Sequence, residues 1–214
     1  KISRTEVASK FMAPAPDVIL RKLVEEGSIT GEQAQLAAQV PMADDITVEA
    51  DSGGHTDNRP LVSLLPAILT LAEQFQRKYG YAQSIRIGAA GGIGTPASAL
   101  AAFMMGAAYV VTGSVNQSCL EAAASKHSKN LLAQAEMADV TMAPAADMFE
   151  MGVELQVLKR GTMFPMRAKK LYELYKNYES IEEIPQQERL KLEQQVFRSS
   201  LDEFWRQTEE HFNT

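Results

Sequence analysis

Three observations predict that this sequence folds as an α/β structure of parallel strands joined by crossover helices. From Thr47 to Ser114 the apolar pattern alternates between periods of 2 and 3.6, reading strand, helix, strand, helix, strand. Two consecutive strands end in glycine-containing turns, "GAAGGIGTP" at Gly88–Pro96 and "TGS" at Thr112–Ser114. The strand before them ends in "DSGGH", Asp51–His55. A (β/α)8 (TIM) barrel binds phosphate with the loops after its seventh and eighth strands, which gives these three segments the register of strands six, seven and eight. The competing reading is that the glycines only serve tight turns with left-handed backbone.

The elements follow in order. "KIS" at the start reads as the end of a strand, and the chain is expected to be a piece of something longer. Residues 4–40 read as helical, with Val18, Ile19, Leu23 and Val24 spaced for one buried face and "TGEQ" at Thr30–Gln33 as a capping box. "DITVEA", Asp45–Ala50, is a short β-branched strand. Pro60–Gly80 is a long amphipathic helix that Pro66 is expected to kink or restart, stopped by a left-handed Gly80. "SIRIGA" is the next strand, then a helix with Thr95 as cap and Pro96 at its first position, then the strand "AYVVTGS". Beyond Ser114 the sequence reads as helical to its end, including "MADVTMAPAADMFEMG", with capping boxes at Ser180–Glu183 and Ser200–Glu203. The expected division is a barrel part at 1–130, with a helical insertion at about 4–40, and a helical extension at 131–214.

Composition narrows the function. The 214 residues are 45% hydrophobic and 22% charged, which suits a packed domain. A net charge of −6 argues against a generally basic nucleic-acid-binding surface. The single cysteine, Cys119, forbids an intramolecular disulfide framework and points to a reduced, cytoplasmic setting. No run of eighteen apolar residues suggests a membrane span, and the first residues lack a signal-peptide core.

The turn at Gly88–Pro96 lies between a strand and a capped helix, where backbone N–H groups can cradle a phosphate. Gly92, Gly94 and Ala97 also fit G-x-G-x-x-A, but the dinucleotide fold needs an acid at the end of the next strand, and Thr112, Gly113 and Ser114 stand there instead. The loop carrying His55 opens on the same face as the phosphate turns, so this imidazole is the candidate for proton or hydrogen-bond donation near neutral pH.

Four stretches, "EADSGGHTDNRP", "GAAGGIGTP", "YVVTGSVNQ" and "EMADVTMAPAADMFEMGVELQVLKRGTMFPMRAKKLYELY", together resemble the PfaD-type, trans-acting enoyl reductases of polyketide and polyunsaturated fatty acid synthases. These lie within the nitronate monooxygenase-like group of FMN barrels. The resemblance covers nearly the whole chain and implies its C-terminal half of the barrel, strands about five to eight, with the N-terminal half missing. It implies FMN as cofactor, NADPH as hydride donor and an α,β-unsaturated thioester on an acyl carrier protein as substrate. Gly53 and Gly54 match the pair that lets the backbone pass close to the flavin, and His55 matches the family's active-site histidine. Ala90, Gly91 and Gly92 match the first phosphate turn, and Thr112, Gly113 and Ser114 the second; many nitronate monooxygenases carry Thr where Ser114 stands. The alternatives kept open are a nitronate monooxygenase-type oxidase and a non-catalytic barrel fragment for assembly or carrier docking. A homo-oligomer is compatible with all three.

Other features carry weaker readings. Asp51, Asp57 and Arg59 flank His55 as groups that orient it or bind substrate, against the commoner role of loop acids in satisfying backbone. Lys159, Arg160, Arg167, Lys169 and Lys170 form a basic stretch suited to an acidic carrier protein, or merely a solvated face. Met137, Met142, Met148, Met151, Met163 and Met166 suit either an acyl channel or core packing. Cys119 is expected to be buried and inert. His127 and His211 lack partners at ligand spacing, so no metal is expected.

Overall fold

The computed structural model describes residues 1–213 and divides into two compact units, Lys1–Glu136 and Met137–Thr214. In the first, β1 (Asp45–Glu49), β3 (Arg86–Ala90) and β4 (Tyr109–Val111) form a parallel sheet in the order β1-β3-β4. Ile2 adds an isolated parallel bridge to Val48 on the side of β1 away from β3. A short extended pair, β2 (Gly54–His55), lies in the loop after β1.

Alternation along the strands sorts their two faces. Ile46, Val48, Ile87, Ala89 and Val110 point into the core, where α1 (Thr5–Met12) and α4 (Leu61–Tyr79) bring Ala8, Met12, Leu65 and Ile68 and α5 (Pro96–Met104) brings Ala102. Val48, Leu65, Ile68 and Met12 are fully buried. The other face carries Asp45, Thr47 and Glu49, then Arg86, Gly88 and Ala90, then Tyr109 and Val111. It is the polar face, and Asp45 binds Arg86 across it in a two-pronged pair at 2.6 and 2.7 Å.

Local chemistry explains the helix ends. Thr30 and Gln33 make both bonds of a capping box at the start of α3 (Gly31–Ala37), and Thr95 and Ser98 do the same for α5. α4 runs unbroken through Pro66 and stops at Gly80, whose φ of 63° is left-handed. Ser200 accepts from the Glu203 N–H at the start of α10 (Leu201–Phe212). The box expected at Ser180–Glu183 opens no helix. Glu183 does accept from the Glu179 N–H at 3.1 Å, but Pro185 ends that turn and α9 (Gln186–Leu192) begins beyond it.

Three further expectations are corrected. The segment "MADVTMAPAADMFEMG" is not helical: β5 (Val140–Pro144) pairs antiparallel with β6 (Glu154–Leu158), with a 3-10 turn at Ala146–Met151 between them. The supposed buried face of α2 (Asp17–Glu25) is open, with Val18 70%, Ile19 47% and Val24 37% exposed, because α2 packs mainly on the small helix α3 and buries only Leu20. Cys119 is exposed at the end of the five-residue α6 (Ser114–Ser118). The second unit is completed by α8 (Phe164–Asn177) and a π-helical turn, Glu193–Phe197, that continues α9. Among the described residues no helix is long and apolar enough to cross a membrane.

Candidate functional site

The parallel order of β1, β3 and β4 puts their C-terminal ends, and the three glycine-containing loops, side by side. The Ala50 N–H donates to the Ala90 carbonyl at 2.8 Å, extending the β1–β3 ladder one residue into the first loop. At Gly91 that loop and the second touch. Its φ is 91°, and a Cβ there would sit 2.5 Å from the Ala50 carbonyl oxygen and 2.8 Å from that of Asp51, so no side chain fits. Positions Gly92, Gly94 and Gly113, by contrast, face space free of heavy atoms within 4 Å. The third loop joins the first at Gly53, where a Cβ would lie 3.6 Å from the Ser114 hydroxyl oxygen.

The first loop is braced from its base. The Asp51 N–H donates to the Arg59 carbonyl at 2.8 Å, closing residues 51–59 into a compact loop. Thr56 Oγ1 donates to Asp51 Oδ1 at 3.3 Å and accepts from the Asn58 N–H at 3.1 Å, and Asn58 has a left-handed φ of 52°. The Ser3 hydroxyl donates to the Asp57 carboxylate. Asp51 and Asp57 thus hold loop hydroxyls. His55 is exposed on β2.

In the third loop Thr112 is tied to the following helix. Its hydroxyl donates to Asn116 Oδ1 at 3.1 Å, while Asn116 Nδ2 donates to the Thr112 carbonyl at 3.0 Å. Gly113 and Ser114 are exposed. The structure therefore brings Gly53, Ala90, Gly91, Gly92, Thr112, Gly113 and Ser114 to one end of one sheet, with Gly54 and His55 further along the loop after β1.

Sequence reading missed a row on the polar face just below these loops. Thr47, Gly88 and Tyr109 are register partners across β1, β3 and β4. Tyr109 Oη lies 3.0 Å from Thr47 Oγ1, and its ring rests on Gly88. The available signal was a glycine in the middle of a strand, which marks close approach of another group.

The basic stretch lies in the second unit and is partly neutralised there. Arg160 pairs with Asp139 at 3.2 Å and Lys170 with Glu188 at 2.5 Å. Lys159 and Lys169 are exposed and Arg167 half-buried. Of the six methionines singled out in the sequence, Met137, Met151, Met163 and Met166 are exposed and Met142 and Met148 half-buried, so none of these six is a fully buried core residue.

Comparison with known proteins adds to this geometry. A family model described as the inserted helical domain of [acyl-carrier-protein] S-malonyltransferase matches residues 178–214. The chain is 52% identical over 214 residues to a polyunsaturated fatty acid synthase component of Thraustochytrium sp., covering 99% of this chain and 14% of that protein. It is 50% identical over 212 residues to polyketide biosynthesis protein PksE of Bacillus subtilis, covering 99% of this chain and 28% of that one. The crystal structure of the enoyl reductase domain of MlnA, from the macrolactin biosynthesis cluster of Bacillus amyloliquefaciens, superposes with a TM-score of 0.89 at 42% identity, over 98% of this chain and 47% of its own. The chain spans far less than half of the curated relatives and just under half of the solved domain.

Proposed function

We propose that this chain is the C-terminal half of an FMN-dependent (β/α)8 enoyl reductase that acts in trans on α,β-unsaturated thioesters carried by an acyl carrier protein in polyketide or polyunsaturated fatty acid synthesis. The observation that carries the proposal is the superposition of nearly the whole chain on the MlnA enoyl reductase domain, with the three loops gathered at the C-terminal edge of a parallel sheet. The half-barrel reading draws support from strand order, since Ile2, β1, β3 and β4 follow in sequence and all run parallel, as barrel strands five to eight do. Parallel sheets are ordinarily covered on both faces, and here the helices of this unit cover the face of Ile46, Val48, Ile87 and Ala89.

The residues present fit a flavin mononucleotide. The Gly91 crossing packs the first two turns against each other, Gly92 and Gly113 leave open space for close backbone approach, and the Ser114 hydroxyl adds a donor beside Gly53. Bound there, FMN would supply hydride transfer from NADPH to the β-carbon of the thioester. His55, exposed on the rim of the same loops, would donate a hydrogen bond to the developing enolate oxygen or a proton to the α-carbon. The Asp51, Thr56 and Asn58 bonds would hold its loop in one conformation. Carrier docking would fall to Lys159, Arg167 and Lys169, because Arg160 and Lys170 are already paired.

His55→Ala tests the site. Flavin should stay bound, while NADPH oxidation driven by crotonyl thioester should drop on the order of a hundredfold or more. Full turnover in that variant would remove His55 from the mechanism, and oxygen-dependent nitronate turnover by the unsubstituted protein, in place of crotonyl-dependent NADPH oxidation, would favour the oxidase alternative.

A further inference from the structure

Gly88 occupies the middle of the central strand, a position where glycine weakens a sheet unless another group must pass close by. That group is Tyr109: a Cβ on residue 88 would lie 2.1 Å from its Cε2 and 2.3 Å from its Cζ. One side chain from β4 thus crosses β3 and ends 3.0 Å from Thr47 on β1. Between Gly88 and the turn at Gly91 the only side chain on this face of β3 is the methyl group of Ala90. The ring therefore forms a floor directly below the glycine turns. The two hydroxyls hold two protons, and the bond between them uses one. Either hydroxyl can donate that bond, and with Thr47 as the donor the phenol proton of half-buried Tyr109 is the one left over.

We propose that Tyr109, laid across Gly88 and tied to Thr47, is a cofactor-binding residue that supports the ring system of a phosphate-anchored flavin from below and donates a hydrogen bond to one of its polar atoms. The proposal rests on the FMN reading above and adds to it a contact that discriminates the ring end of the ligand from its phosphate end. Fluorescence titration of the full-length protein with FMN and with riboflavin, which lacks the phosphate, separates the two ends. Tyr109→Phe keeps the ring and removes only the hydroxyl. It should weaken both ligands by the same factor, roughly threefold to tenfold for one neutral hydrogen bond, and should shift the visible absorption bands of the bound flavin. Ser114→Ala, at the phosphate turn, should weaken FMN and leave riboflavin unchanged. If Tyr109→Phe leaves both affinities and the absorption bands unchanged, or weakens FMN alone, the inference is overturned while the FMN reading stands. If the unsubstituted protein binds neither flavin, the FMN reading fails and this inference fails with it.

Discussion

The two units of the chain are built on different terms. Lys1–Glu136 has a true apolar core, in which Val48, Leu65, Ile68 and Met12 are sealed between sheet and helices. In the described part of Met137–Thr214 the buried apolar residues are Ala143, Pro144, Ala145, Pro165 and Ala168 with Leu174, Leu192 and Leu201, and much of the remaining apolar surface, including Trp205 and Phe212, is open. A buried Val, Leu or Ile contributes about 1.5–3 kcal/mol and an extra methylene about 0.8 kcal/mol, so the alanines supply far less per residue. Both units carry ion pairs; those of the second, Lys170 and Lys191 to Glu188 and Arg206 to Glu203 and Glu210, sit at the surface and are individually weak. The lesson is that the first unit rests mainly on packing, whereas the second, with less apolar burial, leans more on surface contacts that pH and salt can loosen.

That contrast can be broken from either side. The largest effect is expected from Leu65→Ala, which opens a cavity in the fully buried layer and should cost about 2–5 kcal/mol in urea unfolding of the first unit. A loss below about 1 kcal/mol would mean that this core collapses around the gap and is less rigid than its burial implies.

Tyr81→Phe should have a smaller effect, about 1 kcal/mol, by removing the buried bond from its hydroxyl to the Met12 carbonyl at 2.8 Å. Burial, with the neighbouring Tyr79 second, pushes the Tyr81 phenol up to about 12 from an ordinary 10. The folded state holds the proton longer than the unfolded one, so this stability is complete below about pH 10 and is lost as pH rises through about 12. Spectroscopic tyrosinate titration should show a late-titrating tyrosine signal that vanishes in the variant.

The smallest effect belongs to the second unit. Hydrogen bonds from Lys170 first and Lys191 next hold the Glu188 carboxyl at about 2, against an ordinary 4.5. Its contribution is present above about pH 4.5 and is lost as pH falls through about 2. Glu188→Gln should flatten the acid limb of melting for the second unit in that window, and added salt should mimic it. An equal response of the first unit would dissolve the distinction between the two.

Much of the fold was legible because its signals are local. Thr30 with Gln33, Thr95 with Ser98 and Gly80 close or open helices through bonds made within a few residues, and β1, β3 and β4 are short runs carrying Ile, Val and Tyr that are bounded by turn residues. The α2 face misled because periodicity marks an apolar stripe without saying whether anything covers it. The β5–β6 hairpin was hidden because "VTMAPA" is rich in Ala, Met and Pro, weak strand formers whose extended state is fixed only by pairing with Glu154–Leu158.

For the site, the sequence by itself determined which loops follow which strands, and so that His55, the Gly91 turn and the Thr112–Ser114 turn share one end of a parallel sheet. Only the tertiary structure decided that Gly91 must lie against the Ala50 carbonyl, that Gly53 approaches Ser114, and that Tyr109 crosses Gly88 to reach Thr47. The physical reason is register. Residues 47, 88 and 109 are far apart in the chain and become a row only when three strands pair in one alignment, and a shift of a single residue would turn each of them to the opposite face.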